Sequence, residues 1–471
     1  MRGGLRLEFI GRKNELEDLM KQYESGLFEM SVIYGRRRVG KTTLINKFLE
    51  SKEDTGYFIG IESSLSFNLE MLSKAIYHAT SFPESLPSFR NLTEAFTFLF
   101  EEARDKRIVF VIDEYPYLAK AEASVSSELQ AVIDKYRSSS QLMLILCGSS
   151  MSFMENQVLG YKSPLYGRRT AQYKINPFTY LESRSYLKTF SYEDASILFA
   201  ITGGVAEYLS FVDPKLSLKD NIINLYLTPR GRLFEEPANL LQQELREPKI
   251  YNDILSAIAN GATKNSEIAT KTGQSTGALS HYLKALIELG IVEKRTPLGK
   301  KEGRKSVYAI VDGMYRFWHQ LVRPNIQAIE LRQAERVYEE RVKGGLSDFM
   351  GFAFEQMAKE YLEALIQSDR IPFYIEEYGV WWGNNPYEKR QEEIDLIAVG
   401  SKEVILGECK WRNQLLDSKV LKDLTETSKL FTQEKKYFML FSKTGFSKKI
   451  MEKAKDNQHI YLIDLEMMFV I

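Results

Sequence analysis

A chain of 471 residues with 44% apolar and 27% charged side chains has material for about three or four globular cores, which excludes a disordered or fibrous polypeptide. Its 63 basic and 63 acidic residues cancel, so global charge names no partner and any nucleic-acid surface is local. No apolar run approaches the roughly 18 residues of a membrane span, no apolar leader follows the first residues, and Cys147 and Cys409 lie in apolar runs as buried thiols. These features point to a soluble cytoplasmic protein with no membrane partner and, with four scattered histidines, no zinc site.

In chain order, the first chemical signal is "YGRRRVGKTTL", Tyr34 to Leu44. Gly35 and Gly40 bracket four residues and Lys41-Thr42 follow, the spacing of a phosphate-binding loop. The β-branched run "MSVIYG" before it predicts a buried strand, and "TTLINKFLE" after it predicts a helix. In that setting the backbone N–H groups of Gly35, Val39, Gly40, Lys41, Thr42 and Thr43 face the phosphates of ATP. Lys41 reaches the β- and γ-oxygens, and the Thr42 hydroxyl ligates Mg2+. Arg36, Arg37 and Arg38 are expected to be solvated or partner-facing, since the cradle works through main chain.

"RIVFVIDEYPYL" follows, with Ile108 to Ile112 as a buried parallel strand ending in Asp113-Glu114. A carboxylate there lies on the ligand side of an open α/β sheet. Asp113 is expected to hold Mg2+ through water, and Glu114 to polarise the attacking water. A third strand, "LMLILCGSS", ends in Ser149-Ser150, where a hydroxyl either senses the γ-phosphate or is an ordinary strand-end residue. "SPLYGRRT" then offers Arg168-Arg169, either as an arginine finger, acting in cis or across the interface of a homo-oligomer, or as a surface pair.

The segments "FIGRKNELEDL", "GRRRVGKTT", "VIDEYPYL", "LCGSS", "PLYGRR" and "ITGGVAEYL" together resemble the archaeal-type P-loop ATPases, relatives of the AAA+ and STAND proteins. The resemblance implies an α/β P-loop NTPase core over residues 1–178 and a helical lid over 179–246. It implies that Phe9, Ile10, Gly11 and Arg12 contact the base and nucleotide edge, and that Gly203-Gly204 break a helix of the lid. It extends to the C-terminus.

Residues 247–325 read independently as a winged helix-turn-helix. "KIYNDILSAIANG", "NSEIATKTG" and "STGALSHYLKALIELG" predict three helices, the last capped by Ser275 and stopped by Gly290. "IVEKRTPLGKKEGRKSVYAIVD" predicts a hairpin whose residues 291–305 carry six basic and two acidic side chains. That is the footprint of a wing on DNA phosphates, with Gln274, Thr276, Ser280, His281 and Lys284 placed toward base edges or backbone. A protein-docking module is the alternative.

Residues 326–344 read as a linker and 345–471 as a further α/β domain. In "EIDLIAVGSKEVILGECKW", Glu408 and Lys410 share one face of a strand with Cys409 opposite, and a hairpin brings Asp395 beside them. Two carboxylates and a lysine on one surface suit Mg2+ and a phosphodiester, and Glu355 in "GFAFEQMAKEYLEALI" is a further candidate ligand. The domain resembles the PD-(D/E)XK, restriction-endonuclease-like, fold. The expectation is an ATPase whose switch controls a DNA-binding module and an Mg-dependent nuclease. Two alternatives stand: a STAND-like signalling ATPase with a silent docking domain, and a triggered defence protein.

Overall fold

The structure, a computed structural model, describes residues 9–300, 303, 306–386 and 388–470. The chain divides into two compact units, 1–177 and 178–471.

The first unit is built on five parallel strands: β1 (Glu29–Tyr34), β2 (Thr55–Ile59), β3 (Val109–Asp113), β4 (Met143–Gly148) and β5 (Ala171–Lys174). Their order in the sheet is β2-β3-β4-β1-β5. Every residue of β3 and β4 is buried, which is why both read as uninterrupted apolar runs rather than alternating ones. Helices cover both faces. Phe96, Leu99, Phe110 and Leu129 belong to the core on one side, and Val39, Leu44, Ile45 and Val111 to that on the other. Strand β1 lies between β4 and β5: the connection leaving β1 runs to β2 at the far edge, whereas that leaving its neighbour β4 runs the other way to β5, and an open α/β sheet takes its ligand at the C-terminal ends of such strands.

The second unit begins with helices, among them Tyr192–Thr202, which stops at Gly203 with φ +61° as the break expected there. Three helices follow, Pro248–Ala259, Asn265–Thr272 and Thr276–Glu288, with the hairpin β6 (Val292–Arg295) and β7 (Val307–Ile310). Ser275 accepts from the Ala278 N–H at 3.3 Å, and Gly290 takes φ +68° just past the helix end, as the sequence requires. Residues 326–344, read as a linker, are instead helical turns with Ile329, Val337, Tyr338 and Val342 buried, leading into the 25-residue helix Lys343–Gln367. Their apolar spacing is helical but broken by Arg and Glu, which masked the pattern.

A mixed sheet ends the unit: β8 (Glu377–Asn385), β9 (Arg390–Val399), β10 (Glu403–Lys410), β11 (Lys435–Ser442) and β12 (Ile460–Asp464). The order is β12-β11-β10-β9-β8, antiparallel from β8 to β10 and parallel from β10 to β12. One apolar cluster runs through this unit from Phe178 to Met468. No helix among the described residues is long and apolar enough to cross a membrane.

Candidate nucleotide site and carboxylate centre

The loop between β1 and the helix Lys41–Leu49 has the backbone of a phosphate cradle. Gly40 caps the helix with φ +96°, a conformation closed to most side chains. A Cβ on Gly35 would meet the Ile175 carbonyl oxygen at 2.2 Å. Lys41 is 7% exposed, and its ammonium donates to the carbonyls of Gly35 at 2.8 Å and Arg36 at 2.9 Å. Burial lowers its pKa, against the field of Cys147, Glu114 and Asp113. A buried cation on loop carbonyls beside a helix N-terminus is what a polyphosphate would neutralise. Asp113 is the hub of the rest. Its Oδ2 accepts from the Tyr57 hydroxyl at 2.6 Å and the Thr42 hydroxyl at 3.3 Å, and its Oδ1 from the Glu114 N–H at 2.8 Å. Thr42 and Asp113 are thus together, as a shared metal site demands; Thr43, next along the helix, is exposed.

Glu114 sits at φ +48°, a strained position for a residue with a side chain. Its carboxylate accepts from Ser149, from the hydroxyl at 3.0 Å and the backbone N–H at 3.3 Å. Of the two hydroxyls at the end of this strand, that of Ser149 thus donates to Glu114. Arg12, 7% exposed and also left-handed, donates to the carbonyls of Asn176 and of Val39, the latter at 3.4 Å. It fastens the Phe9–Arg12 motif to the P-loop, while Phe9 packs against the core that includes Val39. Ile10 and Gly11 are half-buried beside it.

The P-loop arginines depart from expectation, and Arg168 is found in an ion pair. Arg36, Arg37 and Arg38 are half-buried rather than solvated, and Arg37 donates to the Tyr117 hydroxyl at 3.0 Å. Arg168 forms a two-pronged bond, at 3.1 and 2.9 Å, to Asp134 on a helix of its own unit. Sequence cannot show that partner, which lies 34 residues away.

In the second unit, Thr276, Ser280, His281 and Lys284 are exposed on the third helix, and Gln274 is half-buried before it. Of the six basic residues in 291–305, Lys294, Arg295 and Lys300 are described, while Lys301, Arg304 and Lys305 lie outside the described residues. Arg295 leaves the expected phosphate surface: it pairs with Glu293 and, at 4.0 Å, with Glu355.

Asp395, on β9, and Glu408 and Lys410, on β10, do come together. Asp395 accepts from the Cys409 N–H at 2.8 Å, and the Lys410 ammonium lies against Glu408 and 3.8 Å from Asp395. Burial raises the pKa of all three carboxyls, Asp395, Glu408 and Glu355, and for the two glutamates the charge of Asp395 adds to it. For Lys410 the burial that would lower its pKa is outweighed by Glu408 and Asp395. Among the described residues no set of three His, Cys, Asp or Glu side chains is arranged to hold a metal ion, so Glu355 does not join a three-carboxylate ligand set. Asp395 and Glu408 remain as an oxygen-only pair. That donor chemistry fits Mg2+, which is commonly held by one or two carboxylates together with water and substrate phosphate.

Three residues the sequence did not single out complete the picture. Glu393 is two before Asp395 on β9, the same-face spacing that marked Glu408 and Lys410 and would have found it. Tyr57, on the neighbouring strand, carries no motif. Arg316, in the apolar run "YRFWH", is 6% exposed, and its Nε and Nη1 have neither hydrogen-bond partner nor solvent. Its guanidinium lies over the rings of Phe349 at 4.4 Å and Phe352 at 4.3 Å. Each such contact contributes about 2 kcal/mol when desolvated, whereas burying an ion costs several kcal/mol. Burial accordingly lowers its pKa to about 9, and the nearby Glu355 only partly offsets that.

Residues 9–212 match the family described as an ATPase domain predominantly from Archaea. Residues 252–294 match the bacterial regulatory protein, arsR family, and 318–425 a family of archaeal and bacterial proteins of unknown function. The uncharacterized protein MJECL04 of Methanocaldococcus jannaschii is 33% identical over 467 residues, 97% of this chain and 99% of that protein. The uncharacterized ATP-binding protein MJ0423 of the same organism is 51% identical over 45 residues, 10% of this chain and 76% of its own length. Among solved structures, the Walker-type ATPase PABY2304 of Pyrococcus abyssi aligns over 67% of this chain and 97% of its own, with 21% identity and a TM-score of 0.47. Similar from end to end to MJECL04, the chain belongs to the same family as that protein, and it carries over residues 9–212 the ATPase domain found predominantly in Archaea.

Proposed function

We propose that this protein binds ATP with Mg2+ at the P-loop and hydrolyses it. The resulting switch acts on a DNA-interacting second unit whose C-terminal sheet carries a metal-dependent phosphodiesterase centre. The observation that carries the ATPase reading is the alignment of three groups at the ends of adjacent strands: Lys41 opening the helix that follows the loop after β1, Asp113 with Thr42, and Glu114 held by Ser149. Lys41 compensates phosphate charge, Thr42 and Asp113 hold the cation, and Glu114 orients and deprotonates the attacking water. In the C-terminal sheet, Asp395 and Glu408 would hold Mg2+, which supplies charge neutralisation at the scissile phosphate and a lowered pKa for bound water. Lys410 would give charge to the phosphate once released from Glu408. The exposed face of the helix Thr276–Glu288 supports contact with DNA.

A second reading has its own observation. Lys410 already neutralises Glu408 and Asp395, as in a silent centre whose domain serves only as a docking platform on a STAND-like switch. Assays of ATP and DNA hydrolysis on one preparation, with several DNA forms and with ATP or a non-hydrolysable analogue, separate the two. ATP turnover without cleavage under any condition selects the docking reading. No turnover by the wild type, with turnover equally absent in Lys41→Ala, removes the ATPase assignment.

A further inference from the structure

A cavity of about 880 Å3 opens between the hairpin β6–β7, the helix Lys343–Gln367 and strand β8, all in the second unit. Glu355 and Glu393 line its wall toward the carboxylate centre. Arg295, Arg316 and Lys264 line it too, and Tyr308 and Trp382 add aromatic surface. The winged-helix module thus contributes basic side chains to a chamber whose opposite wall belongs to the C-terminal sheet. The Leu298 N–H donates to the Val380 carbonyl at 2.9 Å and fastens the hairpin to β8. The Phe352 ring lies between two chemistries. Arg295 stands 4.2 Å and Arg316 4.3 Å from its centroid, and Glu355 is three residues along the same helix. Arg316 is the group that asks for a ligand. It is 6% exposed, lines the chamber, and has buried nitrogens without a partner. A planar guanidinium fork matches phosphate oxygens, and a chamber of this volume is of the size that takes a small ligand or a nucleotide.

We propose that this chamber binds the phosphate of a nucleotide unit, with Arg316 and Arg295 as its ligands and Tyr308 and Trp382 beside the base, and that the unit is part of a single nucleic-acid strand led to the Asp395–Glu408 centre. Strand binding of this kind combines cations along the backbone with aromatic faces for bases. The proposal rests on the reading that the second unit handles nucleic acid, and it makes the helix-turn-helix module a component of the substrate site as well as a reader of DNA. Arg316 and Arg295 are then binding residues, and cleavage is not required for them to act.

The test uses the full chain in EDTA, with a fluorescent thymidine oligonucleotide and, separately, thymidine monophosphate as probes. Arg316→Met roughly keeps the side chain's volume and removes a charge that the two rings and Glu355 only partly compensate. It is expected to raise the melting temperature of the free protein and to weaken oligonucleotide binding about ten- to a hundredfold, the value of a charge-assisted bond. The oligonucleotide-induced rise in melting temperature should vanish with it. Arg295→Gln should weaken binding without the gain in the free protein, because Arg295 is already paired. If Arg316→Met does not fold by circular dichroism, Arg316→Lys, which keeps the charge but loses the fork, carries the test with Arg295→Gln. Competition by the monophosphate at equal affinity overturns the strand and leaves a free nucleotide as the ligand of the same phosphate site. Wild-type affinity in Arg316→Met with a lowered melting temperature makes Arg316 structural and overturns the inference, while oligonucleotide binding by the wild type still upholds the functional reading. A wild type that binds neither probe nor any longer DNA removes both.

Discussion

Ser149→Ala discriminates between two roles for the residue that ends β4. Its hydroxyl donates to the Glu114 carboxylate at 3.0 Å, and the neighbouring backbone N–H, at 3.3 Å, survives the substitution. A hydrogen bond to a charged group is worth about 1.5–3 kcal/mol. Loss of that orientation in the transition state therefore translates to a roughly ten- to hundredfold fall in kcat. If Glu114 acts on water and not on the nucleotide, as proposed, KM for ATP should stay within about twofold. Steady-state turnover gives both constants, and fluorescent ATP and ADP analogues give the affinities. If Ser149 instead met the γ-phosphate, ATP affinity would fall while ADP affinity held. Unchanged kcat, or a selective loss of ATP affinity, refutes the positioning role. Ser149→Thr restores a hydroxyl and should recover part of the rate.

Three further expectations follow from the second unit. Replacing Lys300, Lys301, Arg304 and Lys305 with alanine should weaken binding to all DNA sequences and reduce the log–log salt slope by up to about 0.9 per lost phosphate contact; identical isotherms at two salt concentrations would make the hairpin a protein-docking element. Asp395→Ala should lose Mn2+ binding by calorimetry together with cleavage, whereas Lys410→Ala should keep or strengthen the metal and lose cleavage, because Lys410 lies against the same carboxylates; equal metal binding in Asp395→Ala and wild type would remove the metal assignment. Burial pushes Glu360 up to about 8, against the Tyr180 N–H that favours its charged form, from an ordinary value of 4.5. The folded state holds this proton where the unfolded chain has released it, so its contribution is complete below 4.5 and is lost as pH rises toward 8, at up to about 1.4 kcal/mol per pH unit. Denaturant titrations across that window should show a shallower decline for Glu360→Gln; parallel declines would show that the group titrates normally.

What could be read from the sequence was what neighbours along the chain decide. The P-loop, its strand and its helix are contiguous, and Glu408-x-Lys410 reports its shared face by a period of two. Asp395 needed only a hairpin. What could not be read depends on residues far apart. Tyr57 meets Asp113 because β2 lies beside β3, a fact of sheet order rather than of pattern. The bond from Arg168 to Asp134 and the inward turn of Arg295 toward Glu355 are likewise tertiary choices between equally plausible partners. In the sequence Arg316 is one charge within the apolar run "YRFWH", and only the two rings around it and the missing partners of its Nε and Nη1 distinguish it.

The two units have different timetables of synthesis. The cores of the first unit are complete once Ile175 has been made, since it is the last of their members. The second closes on itself late: the Tyr180 hydroxyl donates to the Met468 carbonyl at 2.6 Å across 288 residues, and Phe469 stacks on Tyr192 at 4.9 Å. At about 5–20 residues per second, those partners emerge roughly 15–60 s after Tyr180. During that interval Tyr180, Tyr192 and the apolar faces that await the last strands are uncovered. The first unit can therefore mature on the ribosome while the second stays open, and slowing translation downstream of residue 178 should raise aggregation of the nascent chain rather than improve its yield.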